Sequence, residues 1–362
     1  MAKKAAVYGK KEEDFLFEYL SKPSPTGYES GGQQVWLDYV KPLCDEIFID
    51  NYGSVAAILN PDHQFKVVIE AHADEIGWAV NYVQKDGLMN VIRLGGSDHM
   101  IAPAKRVNVH GKHGIVKGIF GWPAIHTRKS SAEKVPKVEE IFLDVGAKNK
   151  EEVEKLGIHV GSVITFDYEP MKLNNKFYVS RALDNRAGGF MIAQVLRLLK
   201  KNKQKLDFGL YVVNAVQEEI GLRGAQMIAN HIKPNAAIVT DVTHDTTTPM
   251  IKKSVQGETK SGDGPVLTYA PSVHNLLLDH VVKTAEKKKI DFQRSVSSRS
   301  TGTDTDAFAY SNSGVPSVLI SLPLKYMHTT VETTAITDVE NTIRLIYESL
   351  LTITPDFNFK YL

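Results

Sequence analysis

Apolar positions along the chain fall into two rhythms, helical spacing and short continuous runs, and the order in which they alternate predicts the architecture. Residues 11–21 read as a helix ended by Pro23 and Pro25, with a turn at Ser24-Pro25-Thr26-Gly27. A second helix is expected to about Cys44, since Trp36, Tyr39, Val40 and Leu43 recur at helical spacing; Pro42 kinks it or ends it early. Strands follow at 46–50, 54–59 and 65–70, with Tyr52-Gly53 marking a tight turn. From about 77 to 164 the runs become short, β-rich and punctuated by glycine, as in GWAVNYV, MNVIRLGG and RVNVHGKHGIVKGIFGW, with one helical stretch at 149–156. That texture predicts a small all-β domain. From 184 the α/β alternation returns: a helix at 184–201 with Ile192, Val195, Leu196 and Leu199 on one face, a strand at 208–216, a helix at 222–232 and a strand at 236–241. Residues 244–265 read as a polar loop, 273–287 as a helix, and 338–353 as the last long helix with Thr337 as its N-cap. The predicted fold is α/β, a mixed, mostly parallel sheet flanked by helices, with an inserted small all-β domain. The boundaries implied are 1–75 and 168–362 for the α/β domain and 76–167 for the insertion, since a chain can accept an insert whose ends lie close together.

Composition narrows the class. Of 362 residues, 43% are hydrophobic and 23% charged, the balance of a soluble globular protein of about two domains. The formal net charge of +1 argues against nucleic acid or an anionic membrane as partner, and Lys287, Lys288 and Lys289 read as the solvated end of a helix. Cys44 is the one cysteine, so no intrachain disulfide forms, which fits a reducing compartment. The N-terminal MAKKAAVYGKKEEDF lacks the apolar core of a secretory signal, and no stretch approaches the roughly 18–20 apolar residues of a membrane span. The expected location is the cytoplasm.

The candidate chemistry lies at the ends of the apolar runs. LYVVNAVQEEIGLRG, residues 210–224, reads as a buried strand that delivers two adjacent carboxylates, Glu218 and Glu219, into a glycine-bounded loop. Buried carboxylates side by side call for a cation. Four other runs each deliver a histidine or an acid: KVVIEAH gives His72, KFYVSRALD gives Asp184, AAIVTD gives Asp241, and SVLISLPLKYMH gives His328. Two histidines and three carboxylates, with no sulfur, suit two divalent ions that share a carboxylate. Asp74, two residues beyond His72, suits the group that holds the second ring nitrogen of a metal-bound imidazole. Asp184 reads equally as the N-cap of the helix that follows it, which needs no metal.

The motifs AHADEIG, ALDNRAGG, QEEIGLRGA, TDVTHD and YMHTTVE occur in this order across most of the chain. In this set the chain resembles the M42 metallo-aminopeptidases, the glutamyl and tetrahedral aminopeptidases. The resemblance implies a zinc-peptidase-like catalytic domain acting on peptides with a free N-terminus. It implies that Asp184 bridges two ions, that His72 and Asp241 complete one site, and that Glu219 and His328 complete the other. Glu218 would be the general base. Zinc or cobalt fits the donor set, and manganese does too. The family likeness also implies assembly through the inserted domain into dimers and a hollow tetrahedral dodecamer.

Some positions depart from the family pattern. Thr305-Asp306 follows Gly302-Thr303-Asp304 where small residues are expected, Leu324-Lys325 stands for serine-arginine, and Thr329 for serine. None is a proposed ligand, so these bear on substrate preference. His244 and Asp245 suit a supporting role. His126 reads as a surface histidine, with a neighbouring subunit's site as the other reading. Two other functions remain open: a metal-dependent deacylase of N-acyl amino acids on the same scaffold, and a non-enzymatic scaffold protein. A deacylase would need a cation for the free carboxylate of its substrate, and a dead copy would be expected to lack a ligand or the base.

Overall fold

The computed structural model describes residues 7–128 and 135–362, so the first six residues of the N-terminal stretch discussed above lie outside the described residues. The chain opens with α1 (Lys10–Ser21) and α2 (Ser30–Val40). The second helix stops short of Cys44, because Pro42 lacks the N–H that the α-helical ladder needs and the chain tightens into a 3-10 turn, Lys41–Leu43. Strands β1 (Glu46–Ile49), β2 (Val55–Leu59) and β3 (Lys66–His72) follow.

Six strands then build a body with its own core: β4 (Gly77–Val83), β5 (Met89–Leu94), β6 (Arg106–Gly111), β7 (Gly114–Gly121), β8 (Phe142–Asp144) and β9 (Val163–Phe166), with α3 (Lys150–Lys155) before the last. They pair antiparallel in the order β4-β5-β8-β7-β6-β9, and β9 returns to β4 to close a barrel. Period-two alternation drives this: in β6, Val107 and Val109 are buried while Arg106 between the turns is exposed and Asn108 is half-buried. The inward side chains include Trp78, Met89, Phe120, Leu143 and Ile164, with Trp78 and Phe120 meeting edge to face at 5.4 Å. Closure removes the free sheet edges.

The rest of the chain comprises β10 (Met171–Leu173), β11 (Phe177–Ser180), α4 (Leu183–Lys201), β12 (Gly209–Ala215), α5 (Arg223–Ile232), β13 (Ala236–His244), α6 (Lys253–Gln256) and β14 (Val266–Tyr269). It ends with α7 (Asn275–Lys288), β15 (Gln293–Val296), α8 (Asp304–Ala309), β16 (Ser317–Leu324), β17 (Glu332–Ala335) and α9 (Ile336–Leu350). The main sheet has the order β1-β2-β12-β3-β13-β16-β14-β15. Its four central strands, β12, β3, β13 and β16, run parallel, and β2 and β14 join antiparallel on either side. This is the mixed, mostly parallel sheet expected. Every position of β12 and β16 is buried, as strands covered on both faces must be. One group of helices, α1, α2, α4 and α9, packs together, with α4 lying over β3, β12 and β13; α5 and α8 form another group against β12, β13 and β16. A second, three-stranded sheet has the order β10-β11-β17.

Two expectations are corrected. The last helix begins at Ile336, with Ala335 at its cap position and Thr337 inside the first turn. β17 runs straight into this helix, and the Ile336 N–H is met by the Lys176 carbonyl at 3.0 Å, so no side-chain cap is required. The stretch 244–265 is not wholly loop: it contains the end of β13 and the short helix α6.

Candidate metal centre

Because the four central strands run parallel, their carboxyl ends open on one edge of the sheet, where ligands collect in folds of this kind. His72 is the last residue of β3. Glu218 and Glu219 occupy a single 3-10 turn that follows β12 after Val216 and Gln217. His328 lies in the loop between β16 and β17. Asp241 was expected as the last residue of its strand, but it sits within β13 opposite Ser321, because Val242, Thr243 and His244 continue the ladder with β16. Asp184 arrives from outside the main sheet, after β11 of the three-stranded sheet. It is no N-cap. Asp184 and Asn185 depart from helical φ and ψ, and regular helix starts only after them. Asn185 anchors this entry by donating to the Thr240 carbonyl at 2.7 Å and accepting from Gly188 N–H at 3.1 Å. A Cβ at residue 188 would lie 2.2 Å from Asn185 Oδ1, so the glycine makes room for that anchor.

The five expected ligands and Glu218 converge. Asp184 Oδ1 lies 3.2 Å from His72 Nε2, and its Oδ2 lies 3.3 Å from His328 Nε2. His72 Nε2 is 3.7 Å from Asp241 Oδ1 and 3.9 Å from Glu218 Oε2, while His328 Nε2 is 3.5 Å from Glu219 Oε1. His72, Asp184 and Asp241 form one group whose ligand atoms lie within 4.8 Å of one another, and Asp184, Glu219 and His328 form a second. A third such group, His72 with Glu218 and Glu219, overlaps both.

Surrounding groups hold these side chains in place. His72 Nδ1 faces the Asp74 carbonyl at 3.2 Å and its carboxylate at 3.4 Å. The same carboxylate accepts the N–H of Glu218 at 2.9 Å, the N–H of Glu219 at 3.2 Å and the Thr26 hydroxyl at 2.9 Å. Asp74 therefore fixes both the first histidine and the Glu218–Glu219 turn. Glu332 accepts the N–H of His328 at 2.8 Å and of Asp184 at 3.1 Å. Gly96, in the loop after barrel strand β5, lies against the His328 ring, where a Cβ would come 2.7 Å from Cε1 and Nδ1. Ala182, Gln217, Tyr326 and His328 all have left-handed φ, a conformation that non-glycine residues adopt where surrounding structure imposes it, often at functional sites.

The electrostatics show an excess of buried negative charge. Burial pushes the Glu218 carboxyl up to about 10, with Asp241, Asp304 and Asp184 adding to the rise and His72 opposing it. Burial raises Glu219 well above the ordinary range, reinforced by Asp184, and raises Asp241 to about 7. Burial alone would lower the His72 imidazole, but Glu218, Asp184, Asp74 and Asp241 outweigh it and leave it well above its ordinary value. For Asp184 burial opposes ionisation, yet hydrogen bonds to His328 and His72 hold it below the usual carboxylate range. Acids crowded around two imidazoles, with nitrogen and oxygen donors and no sulfur, form a set that divalent cations satisfy. The residues present therefore fit a metal.

Other sequence candidates lie apart or serve the scaffold. His244 and His126 are exposed. Asp245 is buried and accepts from Thr247 and Ser261, with Lys325 at 3.8 Å. Asp306, unexpected in its motif, accepts from Thr301, Gly302 and Ser272 and so shapes the loop that leads into Asp304 and α8. Four residues near the centre were given no role from sequence: Glu70, Gly96, Asp304 and Glu332. Glu70 is fully buried and faces Asp304; burial raises both carboxyls, Glu70 adds to the rise of Asp304, and Asp304 opposes that of Glu70. A charged residue inside the apolar run KVVIEAH was the available signal for Glu70. Nothing local in the sequence marks Gly96, and Glu332 shows only as the last residue of the motif YMHTTVE, with no role attached to it.

The sequence profile of the family described as M42 glutamyl aminopeptidase matches residues 53–345. Lysyl aminopeptidase of Pyrococcus furiosus is 31% identical over 335 residues, covering 92% of this chain and 94% of the relative. A TET aminopeptidase from a marine sediment Thaumarchaeota archaeon superposes with a TM-score of 0.90 at 30% identity, covering 95% of this chain and 96% of its own. The TET1 peptidase of Pyrococcus horikoshii, which can assemble into a tetrahedron or a large octahedral shell, gives 0.83 at 27% identity, covering 93% and 98%.

Proposed function

The chain belongs to the M42 glutamyl aminopeptidase family and is a peptidase, and from that premise we propose that it is a binuclear, metal-dependent aminopeptidase removing N-terminal residues from short peptides. The observation that carries this reading is Asp184, whose two oxygens face the Nε2 atoms of two different histidines. His72, Asp184 and Asp241 would hold one divalent ion, and Asp184, Glu219 and His328 the other; zinc or cobalt suits the set, as does manganese. When bound, such ions supply Lewis acidity and a nucleophilic water at neutral pH.

Glu218 takes the proton from the attacking water and returns it to the leaving amine. Its side chain stands beside the first triad, and its main-chain N–H is tied to Asp74, which aims the carboxylate inward. The Glu218 carboxyl, pushed up to about 10 without metal, would be drawn down by cations held at the two triads toward the range in which a general base works. Asp74 fixes the His72 ring so that Nε2 faces the centre. Residues 1–75 and 168–362 form the catalytic domain in this reading, and residues 76–167 the domain that serves assembly, toward dimers and a dodecamer like those of TET peptidases. The Gly96 contact joins that insertion to the centre. No helix among the described residues is long and apolar enough to cross a membrane, in keeping with a cytoplasmic enzyme.

The test is hydrolysis of a panel of aminoacyl-anilides and N-blocked counterparts, before and after chelation and with zinc, cobalt or manganese restored. Hydrolysis that needs the free amine and returns with metal is expected. Metal-dependent hydrolysis of blocked substrates alone would replace this reading with the deacylase.

A further inference from the structure

Two carboxylates frame the main chain of the centre, and only Asp74 has a part in the chemistry above. The other is Glu332, the first residue of β17, 2% exposed. Its Oε1 accepts the His328 N–H at 2.8 Å and its Oε2 the Asp184 N–H at 3.1 Å. These two residues come from separate parts of the fold, the opening of α4 and the β16–β17 loop, yet they are two ligands of the same triad. Both N–H groups stand on irregular backbone. His328 has φ +61°, unfavourable for a residue with a Cβ, and Asp184 lies outside helical φ and ψ. Glu332 is in none of the metal-competent groups.

We propose that Glu332 is a positioning residue for the second ion, setting the spacing of Asp184 and His328 without touching ion or substrate, a role that presupposes the binuclear reading. A carboxylate is needed because both donors are N–H groups and both require an acceptor. Glutamine in its place offers one acceptor and turns an NH2 toward the other N–H. The structure at large would tolerate this near-isosteric change, but Asp184 and His328 would lose their fixed separation.

The experiment is a Co2+ titration of chelated wild type and Glu332→Gln, followed by calorimetry and by the visible absorption of the bound cobalt. Wild type is expected to take two ions per chain. E332Q is expected to take the second ion about 10–100-fold more weakly, with a smaller loss for the first, which Asp184 also serves, and with excess Co2+ restoring the second spectral component. A role in folding alone would weaken both ions alike or neither, and either pattern overturns the proposal. If E332Q does not fold, Glu332→Asp, whose shorter carboxylate reaches only one of the two N–H groups, is titrated instead and judged by the same criteria. Fewer than two ions in wild type would remove the binuclear reading and this role together, whereas two ions bound equally well by both proteins would remove this role alone.

Discussion

Glu218→Gln separates the two things Glu218 does. The substitution is isosteric and leaves the main-chain N–H on Asp74, so the turn and all five ligands stay in place. It removes the proton acceptor. Loss of a general base costs about 10²–10⁴ in rate, or roughly 3–5 kcal/mol in the barrier. Stability moves the other way in the metal-free protein. The folded-state carboxyl is pushed to about 10, above its ordinary 4.5. Such a group contributes stability that is complete below the ordinary value and is lost as pH rises toward the folded one. At pH 7 the loss amounts to at most about 3 kcal/mol, and a neutral glutamine does not incur it. Chelated E218Q should therefore melt a few degrees above chelated wild type at pH 7, and the gap should close toward pH 4.5. Turnover on an aminoacyl-anilide at saturating metal and thermal melts of the chelated proteins measure both effects. Near-normal turnover would refute the assignment of the base. A chelated variant no more stable than wild type at pH 7 would refute the reading of excess buried charge.

Three further outcomes are expected. Asp74→Asn should lower turnover about 10–100-fold while metal analysis still finds the ions, since it disturbs the hold on His72 and on the Glu218 and Glu219 N–H groups; unchanged turnover would contradict this. Gly96→Ala places a Cβ 2.7 Å from His328 Cε1 and Nδ1 and should weaken one ion selectively; equal loss or none would show that the barrel loop does not support the ring. Loading metal at pH 7 should release protons, because His72 and His328 are raised and Asp241 sits at about 7, so binding tightens as pH rises. Calorimetry in buffers of different ionisation enthalpy would show no difference if that is wrong.

The proposed ligands were legible as candidates because buried parallel strands read as continuous apolar runs, and a histidine or acid at the end of such a run stands out. His72 and the Glu218–Glu219 pair are of this kind. The strand carrying Asp241 was ended too early, because Val242 and Thr243 look like the start of a loop until β16 is there to pair with them. The N-cap alternative for Asp184 could be decided only by where regular helix starts, which leaves Asn185 to accept the Gly188 N–H, and by two histidines far away in sequence. Closure of the barrel depends on register and on the shift between Val80 and Tyr82, which periodicity does not encode. Glu332, which closes the motif YMHTTVE, and Gly96 make contacts that exist only once β17 and the β5 loop have come to the centre, so no local pattern gives them a role.

Anomalous diffraction from crystals of the zinc- or cobalt-loaded protein tests the central claim most directly. Two peaks per chain are predicted, one coordinated by His72 and Asp241, the other by His328 and Glu219, with Asp184 bound to both. A single ion, or ions held by other residues, would contradict it.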